Sequence, residues 1–292
     1  MKGLIFVNPF GIPESSVIQA HELQEELNAL GVKAEIVSDG FLKNGIVSGG
    51  IECGFRADFA VFLDKDKYLS FCLEKSGVRL FNRHDAIRVC DDKAKTCIAL
   101  AGKGVNIPET VFAPVCYKKD CEISESWLSD VGERLKFPVV IKECYGSGGK
   151  GVYLAKDASD LKTISENLKL VPHIYQKYMG KRKGTDVRVI VIGGKVAAAM
   201  QRENKNDFRS NIALGGIGKA VNISESFCLA AEKCARILNL DYCGVDILYG
   251  DNDEPYICEV NSNAFWGEIT AVTKINVAKI YAEYIVNKIK GI

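Results

Sequence analysis

The loop Gly146-Ser147-Gly148-Gly149-Lys150-Gly151 lies between two stretches that both read as strand, Phe137-Pro138-Val139-Val140-Ile141-Lys142 before it and Val152 to Lys156 after it. Gly146, Gly148 and Gly151 satisfy G-x-G-x-x-G, but the dinucleotide fingerprint needs a helix directly after the loop. The Walker pattern needs Ser or Thr after its Gly-Lys pair, and here Gly151 follows Lys150. A kinase glycine loop has its phosphate-binding lysine downstream, whereas Lys142 lies upstream. What remains is strand, flexible loop, strand. Glycines there can take φ > 0 and bring backbone N–H groups close to phosphate oxygens. A lid over a triphosphate and a mobile hairpin tip both fit this pattern. Lys142 beside the loop and Lys150 within it favour the lid.

The rest of the chain supplies a context. Over the first 90 residues strand and helix signals alternate. The strands are Lys2 to Asn8, Val32 to Val37, Ala57 to Leu63 and Val78 to Phe81. A helix capped by Ser15 or Ser16 carries the apolar stripe Ala20, Leu23, Leu27 and Leu30, with Gly31 as its stop, and a second helix spans Lys67 to Lys75. Such alternation implies right-handed crossovers and an open parallel sheet. Asp91 or Asp92 caps a helix running to about Ala101. Asn106 to Thr110 is an extended link, and helices follow at Ser126 to Leu135 and Ala158 to Leu168. The last third reads as antiparallel. Asp186 to Ile192 and Lys195 to Arg202 flank a Gly193-Gly194 turn, and Gly244 to Tyr249 pairs with Pro255 to Val260. Ser224 caps a helix to Leu238, and Lys274 to Lys288 forms a closing helix.

Composition excludes several classes. The chain has 292 residues, with 38 Lys plus Arg against 37 Asp plus Glu, for a net charge of +1. No global field recruits nucleic acid or an anionic membrane. No apolar run approaches the roughly 20 residues that span a bilayer, and the start reads as a buried strand rather than a signal peptide. Eleven cysteines contain no C-x-x-C, the closest pair being Cys116 and Cys121. They read as reduced, mostly core thiols of a cytoplasmic protein rather than metal ligands or disulfides. His21, His84 and His173 have no identifiable carboxylate partner and read as structural. Lys181-Arg182-Lys183 reads as a solvated face, with an anionic substrate as the alternative.

The second chemical signal is acidic. Counting inward from a turn bracketed by Gly250 and Pro255, a regular hairpin puts Asp246 opposite Glu259. Glu259 and Asn261 share a strand face. Paired carboxylates among Val245, Ile247, Cys258 and Val260 repel each other unless a cation lies between them. Hard oxygen donors with no soft ligand point to Mg²⁺ or Mn²⁺. The alternative is a hairpin whose polar positions face solvent.

Taken together, the motifs resemble the ATP-grasp superfamily, specifically the RimK-like carboxylate–amine ligases. The resemblance rests on Asp92-Lys93, on Phe137 to Lys142 leading into the glycine loop, and on Gln176-Lys177-Tyr178. It continues through Gly184-Thr185-Asp186-Val187-Arg188, Asp207-Phe208-Arg209-Ser210-Asn211, Gly215-Gly216, Gly244 to Leu248 and Glu259-Val260-Asn261. It runs in order from about residue 91 to the end. The first 90 residues match only in α/β character.

The implied fold is α/β in three parts: an N-terminal open parallel pre-ATP-grasp domain over 1–90, a central lid subdomain over 91–175 and a C-terminal mixed or antiparallel subdomain over 176–292. The resemblance implies that Lys93 and Lys142 bind ATP phosphates, with Gly146, Ser147, Gly148, Gly149 and Gly151 closing over them. It implies that Gln176, Lys177 and Tyr178 flank adenine and that Asp186 lies near the ribose. Arg202, Arg209 and Asn211 would line the reaction centre, and Asp246, Glu259 and Asn261 would hold two Mg²⁺ or Mn²⁺ ions. The implied activity is ADP-forming ligation through an acyl phosphate, joining an amino acid such as L-glutamate to a carboxylate on a metabolite, peptide or protein. Alternatives are an amino-acid or dipeptide ligase and a non-catalytic ATP-binding regulatory module. A dimer or tetramer is a further implication. Lys177 stands where many relatives carry Glu, and Ser262-Asn263-Ala264-Phe265-Trp266-Gly267 replaces the usual small-residue and proline stretch.

Overall fold

The structure is a computed structural model and describes residues 1–10, 14–38 and 44–292. Its first part runs β1 (Lys2–Phe6), α1 (Glu14–Ala29), β2 (Lys33–Val37), β3 (Asn44–Val47), β4 (Gly50–Cys53), β5 (Phe59–Phe62), α2 (Lys67–Lys75), β6 (Leu80–Phe81) and α3 (His84–Cys90). The sheet order is β2-β1-β5-β6, and all its pairs are parallel, as the strand–helix alternation predicts. The β3–β4 hairpin and α3 lie outside the sequence expectations. Ser15 and Ser16 do not cap α1. They lie inside a helix that begins at Glu14, whose carboxylate in the first turn favours the positive helix end. Gly31 does stop it, at φ +78°.

The central part contains α4 (Lys93–Leu100), β7 (Thr110–Phe112), α5 (Glu125–Leu135), β8 (Val139–Glu143), β9 (Val152–Ala155), α6 (Ala158–Leu168) and β10 (His173–Lys177). Its sheet is β7-β10-β8-β9, antiparallel throughout. Alternation splits its residues between two faces. Val139, Ile141 and Tyr175 pack under α5 and α6 with Leu128, Val131, Leu135 and Leu161. Val140, Lys142 and Gln176 point the other way.

The last part is a five-stranded antiparallel sheet, β13-β12-β11-β14-β15. It is built from β11 (Thr185–Ile192), β12 (Lys195–Glu203), β13 (Ile217–Ala220), β14 (Tyr242–Tyr249) and β15 (Pro255–Asn261), with α7 (Glu225–Ile237), α8 (Gly267–Thr273) and α9 (Val277–Lys290). One face, carrying Val187, Val189, Val245, Ile247 and Val260, packs on Phe227, Ala231 and Cys234 of α7. Half of the other face, Ile190, Ala198 and Met200, is covered by Trp266, Ile269 and Tyr281, a cluster that continues into Leu23, Leu27, Phe59 and Phe81 of the first part. Each fully buried Leu, Ile or Phe contributes roughly 1.5–3 kcal/mol, so this shared core locks the first and last parts together. The remaining half of that face stays open.

Two helix ends differ from expectation. The closing helix starts at Val277, capped by the Asn276 carbonyl oxygen of its side chain, which accepts from Lys279 N at 2.9 Å. Lys274 instead ends α8 in a left-handed conformation. Ser224 sits at the N-cap of α7, but its hydroxyl meets Ser226 Oγ at 2.9 Å and leaves the helix backbone uncapped.

Candidate active site

The open halves of the central and C-terminal sheets line a cleft. Of the residues singled out in the sequence, Lys93, Lys142, Ser147, Gly149, Gln176, Lys177, Tyr178, Asp186, Arg202, Arg209, Asn211, Asp246 and Glu259 line it. Gly146, Gly148, Gly151 and Asn261 are not on its wall.

Local structure explains the two lysines. Asp92 caps α4, its Oδ1 accepting from Ala94 N and Lys95 N at 3.0 and 3.2 Å. This sets Lys93 at the first helical position, where its own N–H donates to Cys144 O just beyond β8. Lys93 Nζ then donates to Gly146 O at 3.0 Å and lies 3.5 Å from Glu259 Oε1. Lys142 is inward on β8, with its Nζ 3.4 Å from Cys258 Sγ. Burial disfavours the Lys142 charge, but the Cys258 sulfur and the Glu259 carboxylate outweigh it, so its pKa is raised.

A row of charges crosses the C-terminal sheet. Asp186 on β11 is directly opposite Arg202 on β12, Arg188 on β11 is opposite Asp246 on β14, and Asp246 is opposite Glu259 on β15. Arg202 Nε and Nη2 donate to Asp186 Oδ1 and Oδ2 at 2.8 and 2.5 Å. Arg188 grips Asp246 in the same bidentate way, and Arg202 Nη2 also approaches Asp246 Oδ2 at 3.0 Å. Burial alone would raise the Asp246 pKa; the charges of Arg188 and Arg202 reverse this and hold it at about 2. Cations do accompany the acid pair, and those present are side chains. Guanidinium groups neutralise Asp246, and Lys93 stands beside Glu259.

The pairing of Asp246 with Glu259 arises differently from the regular hairpin expected. The turn closes one residue earlier, with Gly250 N donating to Glu254 O and Tyr249 opposite Pro255. A one-residue bulge between Asp246 and Ile247 restores the register. The extra residue is Cys258. Ile257 and Val260 both remain in the core, so Cys258 and Glu259 are both left on the cleft side.

The glycine loop closes onto the C-terminal part. Glu143 N donates to Gly151 O at 2.8 Å, closing the β8–β9 hairpin. Gly149 has φ +78°, and a Cβ there would stand 2.8 Å from Asn211 Oδ1 and 2.7 Å from Leu214 Cδ1. Arg209, paired with Asp207 at 2.7 Å, donates through Nη1 to Gly149 O and Val152 O at 2.9 and 3.3 Å. Arg209 thus binds the carbonyls of the hairpin as well as facing the cleft.

On the opposite rim, Gln176 Nε2 donates to Thr110 Oγ1 at 3.0 Å, and Thr110 donates to Pro108 O at 2.8 Å. That chain fixes the amide orientation and leaves Gln176 Oε1 buried without a partner. Lys181, Arg182 and Lys183 are exposed, as a solvated face requires, with Lys181 bound to Asp251 O and Arg182 Nη2 paired with Asp253 at 2.9 Å. Among the described residues no histidine lines the cleft, all eleven cysteines are free thiols, and no helix is long and apolar enough to cross a membrane.

Arg188, which grips Asp246 behind the cleft wall, and Cys258, on that wall, carry no role in the sequence expectations. Arg188 had a signal: it is two residues from Asp186 on a strand and must share its face. Cys258 had none, because a bulge alone turns it inward.

Solved structures share this architecture. D-alanine–D-alanine ligase from Bacillus anthracis matches with TM-score 0.74 at 18% identity, covering 99% of this chain and 98% of that one. The ATP-grasp ligase PsnB complexed with minimal precursor, Mg and ADP matches with TM-score 0.70 at 16% identity, over 99% and 98%. Residues 90–285 match the model of the RimK-like ATP-grasp domain, and the chain belongs to that family. Human beta-citrylglutamate synthase B is 36% identical over 214 residues, 73% of this chain and 54% of the relative. The probable alpha-L-glutamate ligase of Maridesulfovibrio salexigens is 36% identical over 215 residues, 73% and 68%. The chain thus spans about half the length of the first of these relatives.

Proposed function

We propose that this protein is an ATP-dependent, ADP-forming carboxylate–amine ligase that adds an amino acid, with L-glutamate the leading candidate, to a carboxylate on a small molecule or peptide. The observation that carries this reading is the direct pairing of Asp246 with Glu259 on one wall of a cleft whose other wall bears Lys142 and the glycine loop. The names of relatives that join glutamate to other groups support the amine. The working units are 1–90, 91–175 and 176–292, with the cleft between the last two.

The nucleotide would lie with its phosphates between Lys93, Lys142 and the loop N–H groups. The orphan Gln176 Oε1 suits the exocyclic amino group of adenine. The neighbour complexed with Mg and ADP supports magnesium as the accompanying ion. The donors fit: Asp246 and Glu259 supply hard oxygens, and Asn261 follows on the same strand face. Among the described residues no cluster of three or more acidic, His or Cys side chains could hold an ion by itself. Such a sparse set suits ions that arrive with a triphosphate, since Mg²⁺ binds through one or two carboxylates plus substrate phosphates. When bound, two such ions would neutralise developing phosphate charge.

In the reaction a substrate carboxylate oxygen attacks the γ-phosphorus and ADP leaves, forming an acyl phosphate. The amine nitrogen then attacks the acyl carbon, phosphate leaves, and an amide remains. Arg202 presents its guanidinium where negative charge gathers. Arg209 and Asn211 hold the glycine loop down, which excludes water from an intermediate that water would destroy. Positioning and charge neutralisation carry such phosphoryl transfers, with no protein nucleophile. ADP release measured with Mg-ATP, citrate or N-acetylaspartate and L-glutamate tests the reading. ADP formation that requires both carboxylate and amine is expected; ATP binding without turnover across that panel would overturn it.

A further inference from the structure

Glu268 stands at the outer end of the charged row. The register carries that row from Glu259 and Asp246 through β11 to Arg202, and Arg202 is directly opposite Gly218 on β13. A Cβ on Gly218 would come within 3.1 Å of Glu268 Oε1. The carboxylate therefore fills the space above Gly218, beside Arg202 and just past the wall of the cleft. Each of the other acids in this row has a cation: Asp186 has Arg202, Asp246 has Arg188 and Arg202, and Glu259 has Lys93. Glu268 is half-buried, and among the described residues no cation lies within ion-pair distance of it. Burial raises its pKa, and the charges of Arg202 and Arg188 oppose this from across the sheet.

The support beneath this carboxylate is firm. Asn82 Nδ2 donates to Ser262 O at 2.8 Å, and Tyr242 OH donates to Ala264 O at 2.7 Å. Trp266 Nε1 donates to Glu22 Oε2 at 2.6 Å, from inside the core shared with α1. The segment that departs from the usual small-residue and proline stretch is thus pinned from three sides, and α8 starts from it. A carboxylate on a fixed element needs little reorganisation to receive a ligand.

We propose that Glu268 is the subsite for the ammonium group of the amine substrate. This rests on the ligase reading above. Charge pattern gives the orientation. Arg188 and Arg202 are offset by Asp246 and Asp186, so among the described residues of the row Glu268 alone carries an uncompensated charge. Glu268, beyond Arg202, attracts the cation and can accept its N–H donors. An amino acid held there would place its nitrogen beside the acyl carbon lying over Arg202; one ammonium proton passes to solvent, and the freed nitrogen forms the C–N bond as phosphate leaves.

The test uses the full chain with Mg-ATP, citrate or N-acetylaspartate as the carboxylate, and either L-glutamate or hydroxylamine as the nucleophile. Hydroxylamine is largely uncharged near neutral pH, so it needs no anionic subsite, and it traps the same acyl phosphate as a hydroxamate. In Glu268→Gln the KM for L-glutamate should rise about tenfold or more, as loss of a charged hydrogen bond implies. The KM for ATP and the rate of hydroxamate formation should stay within about twofold of wild type. Glu268→Asp should recover part of the loss, and thermal melts should show both variants folded. An unchanged KM for L-glutamate, or hydroxamate and amide formation falling together, would overturn the assignment. Wild-type protein that makes neither product with these carboxylates would fail the ligase reading itself.

Discussion

Arg188 Nε and Nη2 hold the two carboxylate oxygens of Asp246 at 2.5 and 2.7 Å from the neighbouring strand, where both side chains are largely buried. Breaking a buried pair by removing one partner leaves an uncompensated charge and costs roughly 3–5 kcal/mol. Arg202 still contacts Asp246, so Arg188→Ala should destabilise the fold by about 3 kcal/mol, the lower end of that range. Urea unfolding followed by circular dichroism measures this. Arg188→Lys should lose less, because it keeps the charge and gives up only the fork.

The same contact predicts a pH dependence. The folded Asp246 pKa of about 2 lies below its ordinary 3.8. A group with a depressed folded pKa stabilises the fold above its unfolded pKa, and that contribution is lost as pH falls through the folded value. The contribution is on the order of 2 kcal/mol. Wild-type protein should lose this stability between about pH 4 and pH 2, and Asp246→Asn should lack that part of the decline. Denaturation midpoints across the window compare the two.

Gly148 and Gly149 separate two effects of the lid. Both have φ in the left-handed region, so Ala at either costs roughly 1 kcal/mol of backbone strain. Gly148 has open space around it, whereas a Cβ on Gly149 meets Asn211 and Leu214. Gly149→Ala should therefore raise the KM for ATP by about tenfold more than Gly148→Ala, the equivalent of about 1.4 kcal/mol, while the two melt at similar temperatures. Equal KM values would show that the loop does not seat on Asn211.

Gln176 Oε1 is a buried acceptor whose orientation Thr110 fixes. Gln176→Leu removes the acceptor and should weaken ATP binding by about 2- to 10-fold, the worth of one net hydrogen bond. The preference for ATP over GTP should shrink, because a 6-oxo group offers no donor there. Isothermal titration with a non-hydrolysable analogue of each nucleotide reads both.

Much of this site is legible in the sequence because strand geometry is local. Period-2 alternation alone puts Glu259 with Asn261, and Asp186 with Arg188, on single faces. A glycine loop followed by strand excludes the helix-bound phosphate motifs. Asp92 before a helical run marks a cap, and the helix there follows from it. Other features were not legible. α8 is seven residues long and buries only Ile269 on its own account, too little for a periodic signal. The bulge at Cys258 leaves no mark in residue type.

The sequence by itself determined most of the longer elements, the parallel character of the first sheet, the antiparallel hairpins of the last and the identity of the charged residues, because backbone propensity and alternation act over a few residues. Only the tertiary structure decided how those charges neutralise one another. Arg188 reaches Asp246 across 58 residues, Lys142 reaches Cys258 across 116, and Arg209 reaches Gly149 across 60. Such partners are chosen by which strands lie side by side. In a buried cleft, where an unpaired charge is costly, that choice sets which acid is engaged and, among the described residues, leaves Glu268 without a cation in ion-pair contact.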